Sequence, residues 1–330
     1  MSHDAFAPAH DFPAEPPAAP PAPHAPSDAP PQRPRYALSF ALFALTCAST
    51  TYVGSQSSSS GSLASGLAYS VPLMAILLAH EFGHYIAARV HRVPASLPYF
   101  IPIPIPPLGT MGAVILMRDR IARRDALFDI GAAGPLAGLV VALPVLIYGI
   151  LQSPISPNPT TPYLAEGHSL LYSGLLYALK GPFPPGQDIM LTPTAFAGWT
   201  GLLVTMLNLI PALQLDGGHV AYALLDARYA AVSRFVRRSL LPLGIAIAIA
   251  YGLPAFLAGQ RGDALWQAAS PGMQWFTWWL LLWWMARRGG QEHPPVDPGP
   301  LSPRRRALAA FTLGLFVLLF MPAWLRLVTP

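Results

Sequence analysis

From Tyr36 onward, long uncharged apolar runs alternate with short clusters of charge. A bilayer core takes about 20 apolar residues as helix. The runs 37–54, 66–90, 126–152, 191–211, 239–258, 264–286 and 307–327 have that character, which predicts seven membrane-crossing helices. The run 96–117 is apolar too, but Pro98, Pro102, Pro104, Pro106 and Pro107 forbid a continuous helix, and Gly109 and Gly112 follow. Irregular backbone at membrane depth is tolerated only where protein or a water-filled cavity surrounds it. This segment is expected to form a re-entrant loop and a short extended β-hairpin. The fold class read from the pattern is an all-α polytopic membrane protein of about seven transmembrane helices.

Composition excludes a soluble domain. Of 330 residues, 53% are hydrophobic and only 11% charged, against about 25% charged in a typical soluble domain. The single cysteine, Cys47, rules out an intramolecular disulfide. Residues 1–36 hold 11 of the 39 prolines and cannot bury a core, so a disordered cytoplasmic tail is expected there, with His3, His10 and His24 solvated. That leader is too long for the charged start of a cleaved signal peptide. The prolines of 287–306 predict a flexible cytoplasmic loop, leaving 37–327 as one membrane domain.

The net charge is +5. With the tail in the cytoplasm, 17 of the 20 basic residues fall on the cytoplasmic side, and only Lys180, Arg261 and Arg326 oppose them. The positive-inside rule therefore selects N-terminus in and C-terminus out, and the charge needs no nucleic acid to explain it. A bacterial inner membrane is the expected location. Six of the eight tryptophans, counting the first turn, lie in 264–286, as interfacial anchors do.

Charged side chains inside apolar runs are costly and mark function. Glu81, Asp129 and Asp216 are of this kind. Glu81 lies in H-E-F-G-H, His80 to His84. At about 100° per residue, His80 and His84 stand about 40° apart on a helix, so both imidazoles reach one metal ion. Glu81 falls on the same side, near enough to act on water at the metal but not as a ligand. Two imidazoles and a carboxylate base are the pattern of zinc hydrolases, and this composition would produce it by chance about 0.003 times. The third protein ligand must come from elsewhere. Asp216 and His219 are the candidates, both in N-L-I-P-A-L-Q-L-D-G-G-H, residues 208–219, where Gly217 and Gly218 let the backbone approach closely. A helix N-cap is the plain alternative for Asp216. Asp129 is expected to pair with an arginine among 118–124.

With these motifs the chain resembles the site-2 protease family of intramembrane zinc metalloproteases, which pairs H-E-x-x-H on one transmembrane helix with N-x-x-P-x-x-x-x-D-G on another. Here the first is His80, Glu81 and His84, and the second is Asn208, Pro211, Asp216 and Gly217. G-A-A-G-P-L-A-G, residues 131–138, resembles the family's small-residue stretch between those helices. The matched stretches lie between about 70 and 220. The resemblance implies one zinc ion per chain held by His80, His84 and Asp216, with Glu81 activating water. It implies that Asn208 holds the substrate or the developing oxyanion. The implied activity is cleavage of transmembrane segments of membrane proteins within the lipid bilayer, that is, regulated intramembrane proteolysis, with the site near the cytoplasmic face.

The segment 109–115, G-T-M-G-A-V-I, is similar to the extended segment near the active site of bacterial and chloroplast relatives. Gly109, Thr110, Met111 and Gly112 are thus candidate substrate-binding residues, because an exposed strand edge accepts an unwound helix by β-addition. A simple proline-rich connector is the alternative. The PDZ and CBS domains of other family branches are not recognisable, and the longest outside loop, 153–190, has 38 residues, short of the roughly 50 an independent domain needs. Gly131, Gly134 and Gly138 read as close-packing residues without chemistry. The competing function is a non-catalytic membrane binder or transporter that retains a metal site. The intact Glu81 and the lack of an internal repeat weigh against it.

Overall fold

The computed structural model describes residues 36–56, 61–117, 121–288, 296–297 and 299–328, all in the unit Arg35–Pro330. The expected tail, apart from Tyr36, lies outside the described residues, as do Arg118, Arg120 and residues 289–295 and 298 of the expected loop. The rest of that loop is shorter than expected, since Arg287 and Arg288 end one helix and Pro303 begins the next.

Helices α1 (Tyr36–Gln56) and α2 (Leu63–Val90) are apolar around their whole circumference, as segments without a water-facing side are. The Ser62 side chain starts α2 by accepting from the Ser65 N–H at 3.2 Å. The prolines that follow keep the chain extended, and β1 (Tyr99–Pro102) pairs antiparallel with β2 (Thr110–Val114), Phe100 opposite Ala113. A bridge between Ala95 and Met117 closes the base of this hairpin. Helix α3 (Arg124–Gln152) runs straight through Pro135 and Pro144. Next come β3 (Ile155–Pro157), β4 (Tyr163–Glu166), α4 (Leu170–Lys180) and β5 (Gln187–Ile189), with β3 paired to β5. Helix α5 (Pro193–Asn208) is capped by Thr192 and opens with Pro193. It stops at Asn208 because the Pro211 ring would clash with the carbonyl four residues back. Helix α6 (Asp216–Leu225), a 3₁₀ turn (Asp226–Arg228) and α7 (Tyr229–Leu257) follow, then α8 (Gly262–Ala269), α9 (Pro271–Arg288), α10 (Pro303–Leu319) and β6 (Leu325–Val328), which pairs antiparallel with β4.

Among the described residues the fold is mostly helical with three two-stranded sheets, and of the seven expected spans four correspond to single helices long and apolar enough to cross. Among the described residues, Tyr36–Gln56, Leu63–Val90, Arg124–Gln152 and Asp216–Leu257 are long and apolar enough to cross a membrane. The expected span 191–211 is α5, only 16 residues long. At about 1.5 Å per residue it falls short of a 30 Å core. It has no need to be longer, because Ala195, Ala197, Trp199 and Leu202 on it are fully buried in protein. The expected span 264–286 is broken at Ser270 and Pro271 into α8 and α9. The expected span 307–327 is a 17-residue helix that ends before Pro322 and hands over to β6.

Helices α2, α3, α5 and α6 form the interior, and glycines set their spacing. A side chain at Gly198 of α5 would lie 2.6 Å from Leu146 Cα of α3, and one at Gly149 of α3 would run into the Ala195 backbone. Trp199 Nε1 donates to the Gly167 carbonyl at 2.8 Å, tying the segment 153–190 to α5. Helix α10 lies across α3 and α6, its Ala309 packed with Phe128, Ala132, Val220 and Ala223. At its start, Arg305 grips Asp129 with Nε at 2.9 Å from Oδ1 and Nη2 at 2.6 Å from Oδ2. His91 Nε2 donates to the same carboxylate at 2.8 Å. Asp129 therefore pairs with Arg305 and His91, and among the described arginines of 118–124 Arg123 pairs with Asp125 and Arg124 with Asp226.

The α3–α5 contact makes a prediction. Gly198→Val should cost about 1–3 kcal/mol of folded stability through overpacking, seen as a lower unfolding midpoint in detergent, whereas Gly174→Val, where nothing lies within 4 Å of a new Cβ, should leave it unchanged.

Candidate metal centre

Helix α2 carries His80, Glu81 and His84 on an unbroken stretch, all three buried at 3%, 5% and 8% exposure. Polar groups this deep need partners. His80 Nε2 and His84 Nε2 lie 3.2 Å apart. Asp216 Oδ2 is 3.2 Å from His80 Nε2 and 3.2 Å from His84 Nε2. The three donor atoms thus form an equilateral triangle. Tetrahedral coordination with bonds of about 2.0–2.1 Å places ligand atoms about 3.3 Å apart, so the triangle has the size of one face of such a site. These are the residues that could hold a metal ion, and they form the only such group of histidine, cysteine and acidic side chains among the described residues. The donor set of two imidazoles and one carboxylate suits a hydrolytic centre with an open fourth position.

Local structure explains the convergence. Helix α5 ends at Asn208, the chain turns through 209–215, and α6 begins at Asp216. Leu215 holds the N-cap position and Asp216 the first helical one, so the capping alternative for Asp216 falls away. Its carboxylate sits where the helix dipole favours an anion. A side chain on Gly217 would run into Leu209, and one on Gly218 into Leu213. That close approach starts α6 against α3 and leaves the Asp216 carboxylate at the two α2 histidines. Asn208 Nδ2 lies 3.2 Å from His80 Nε2, which puts the amide at the edge of the triangle. His219 is not part of the group: its Cβ lies against Gly131 of α3.

Two features escaped the sequence reading. His84 Nδ1–H donates to the Ile130 carbonyl at 2.7 Å, which turns Nε2 toward Asp216. A backbone acceptor has no signature in a sequence. The second is the glycine face of α3. A Cβ on Gly134 would fall on the His84 imidazole, and one on Gly138 would lie 3.2 Å from His80 Cβ. These glycines make the room the histidines occupy. The signal was present: Gly134 and Gly138 repeat the four-residue spacing of His80 and His84 in reverse order, as antiparallel helices require.

Gly109, Thr110, Met111 and Gly112 are not part of the triangle. Gly109 rests on Ser49 and Thr50 of α1. Thr110 is buried, while Met111 is exposed. At Gly112 the backbone has φ of +88°, and nothing lies within 4 Å of where a side chain would start.

The profile of Peptidase family M50 matches residues 68–251, more than half of the chain. The Arabidopsis thaliana protein named probable zinc metalloprotease EGY2, chloroplastic, is 30% identical over 185 residues, 56% of this chain and 33% of that protein. The Oryza sativa subsp. japonica protein named probable zinc metalloprotease EGY1, chloroplastic, is 36% identical over 162 residues, 47% of this chain and 27% of that protein. The Arabidopsis thaliana protein of the same EGY1 name is 32% identical over 197 residues, 57% of this chain and 35% of that protein. The chain thus spans about a third of the length of the curated relatives it matches. No solved structure matches it.

Elemental analysis after removal of loose metal checks the triangle. Wild type should carry about one divalent ion per chain, and His84→Ala and Asp216→Asn should each lose most of it. Gly134→Ala should lose it as well, by displacing His84. Full metal content in Gly134→Ala would mean that His84 does not ligate from this position.

Proposed function

We propose that this chain, which belongs to peptidase family M50, the site-2 protease family, is a zinc metalloendopeptidase that cleaves transmembrane segments of other membrane proteins. The observation that carries this reading is the triangle of buried His80 and His84 with half-buried Asp216, and Glu81 buried one residue along from His80 on the same helix. Zinc fits the two nitrogens and one oxygen at 3.2 Å separations. When bound, it supplies Lewis acidity that polarises a scissile carbonyl and acidifies water.

The side chains do the rest. Glu81 accepts a proton from the attacking water and returns it to the leaving amine. Asn208 donates its amide N–H to the oxyanion that develops on the carbonyl. His84, held by the Ile130 carbonyl, keeps its ligand nitrogen aimed at the site without reorganisation. The apolar surroundings exclude bulk water, which strengthens each of these interactions.

A helical substrate has its backbone groups already paired and must be unwound before its peptide bonds are accessible. Strand β2 offers an edge on which an unwound segment can be held. The exposed Met111 and the open space beside Gly112 support this role, since glycine inside a strand often marks close approach by another backbone.

The orientation follows from the arginines. Arg89, Arg124, Arg228, Arg287, Arg288 and Arg305 lie at helix ends or starts that share one side under the positive-inside rule, with the metal group toward that side. Arg287 over Trp283 at 4.3 Å and Arg288 over Trp284 at 4.5 Å are fitting headgroup-level anchors there. The reading places this face in the cytoplasm, and a bacterial inner membrane is the setting it suits.

Glu81→Gln tests the mechanism. The variant should keep its zinc and lose cleavage of a transmembrane substrate by about a hundredfold or more, measured by product formation in reconstituted vesicles. Wild-type cleavage by a zinc-loaded Glu81→Gln protein would sink the assignment of the base.

A further inference from the structure

The hairpin that carries β2 is held at its tip, and the holding groups belong to α1 and α2. Ser49 Oγ donates to the Gly109 carbonyl at 2.7 Å, and Tyr69 OH donates to the Leu108 carbonyl at 2.9 Å. Both donors are buried. Their sequence neighbours tie the two helices together at this height: Thr50 Oγ1 and Ser70 Oγ share a hydrogen bond of 2.6 Å, and Ser70 Oγ donates to the Cys47 carbonyl at 3.3 Å. Gly109 has φ of +79°, and a side chain there would lie 2.8 Å from Thr50 Cα, so the tip is seated on the α1 backbone. Below the tip, Phe100 is buried among Tyr69, Leu73, Met74 and Leu77 of α2 and meets Phe43 of α1 edge to face at 5.2 Å.

Tyr69 shares α2 with the metal group. His80 and His84 follow it on the same unbroken helix, about 16 and 22 Å along the axis at 1.5 Å per residue. The base of the hairpin, Ala95 with Met117, comes just after the last turn of α2. The hairpin therefore runs from the end of α2 back between α1 and α2 to the level of Tyr69. One rigid element joins the pin at the tip to the ligands at the site.

A strand edge accepts a partner only in ladder register, and the register repeats every two residues, about 6.8 Å. If β2 shifts along α2, the bond presented to the metal group changes. We propose that Ser49 and Tyr69 are positioning residues that fix the axial placement of β2 against His80 and His84, and so set which peptide bond of the substrate is cut. This rests on the strand-addition reading of β2.

The test uses the full chain with Ser49→Ala and Tyr69→Phe together, reconstituted in phosphatidylethanolamine and phosphatidylglycerol vesicles. The probe is a synthetic Leu/Ala transmembrane peptide of roughly 20 residues with a central Asn-Gly pair, its products mapped by mass spectrometry. The double variant should hold as much zinc as wild type. Its kcat/KM should fall about tenfold, as for two lost hydrogen bonds, and a second product boundary should emerge two residues from the first. A single boundary at the wild-type position, at whatever rate, overturns the register assignment, because a merely structural pin would slow cleavage without moving it. A second peptide, with the central amides N-methylated, separates the two readings: equal cleavage of both peptides by wild type would overturn strand addition itself.

Discussion

Two imidazoles and a carboxylate meet where the protein leaves them little access to water. Polar groups buried this way cost several kcal/mol each unless they satisfy one another or a shared ion, and the chain around them is arranged so that they can. The α2–α3 spacing is set by Gly134 and Gly138, because any side chain there would occupy the space of His84 or His80. Helix α5 has to stop at Asn208 so that the chain can turn and α6 can begin with Asp216 pointing back at α2. The turn holds Leu213 at φ of +52°, a conformation costly for leucine, and its carbonyl accepts from the Tyr229 hydroxyl while its N–H donates to Ser233. Strain at the turn is thus offset by α7, a helix that contributes no ligand.

The site was more legible in the sequence than the fold around it, and the reason is spacing. His80 and His84 stand four apart, so their shared face follows from helical geometry alone. Residue chemistry alone left Asp216 and His219 both open, and the resemblance of the 208–217 motif selected Asp216; the path of residues 209–215 is what physically turns that side chain toward α2. Partners without a side-chain signature stayed hidden. The Ile130 carbonyl that orients His84 is one case. The Arg305 grip on Asp129 is another, since 176 residues separate the pair and nothing in either neighbourhood points to the other.

Helix number was the least legible feature. Hydropathy reports whether a residue avoids water, and lipid and protein interior answer that question alike. Helix α5 is apolar where it is packed inside the protein, with Ala195, Ala197, Trp199 and Leu202 fully buried. Proline also carries two meanings. Pro135 and Pro144 sit inside α3 without breaking it, because crowded neighbours leave a freed carbonyl no better alternative. Pro211 and Pro271 mark helix boundaries. The prolines of 98–107 keep the backbone extended. Only the packing partners tell these cases apart.

Helix α2 joins these levels. Its later turns carry two of the proposed ligands and the proposed base, its early turns carry Tyr69 and Ser70, and its end leads into the hairpin. The distance from the pin to the ligands is then a fixed number of helical residues rather than a property of a mobile loop. Sites built on helices hold position more closely than sites built on loops. A hydrolase that must present one bond of a long, featureless apolar segment gains from such a fixed length, because leucine and alanine side chains give little to grip. Tyr69 lies inside the stretch matched by the family profile and Ser49 before it, so the tip is held by one residue of the shared core and one of the preceding helix. That division leaves the chemistry with the core and lets α1 act on where it is applied.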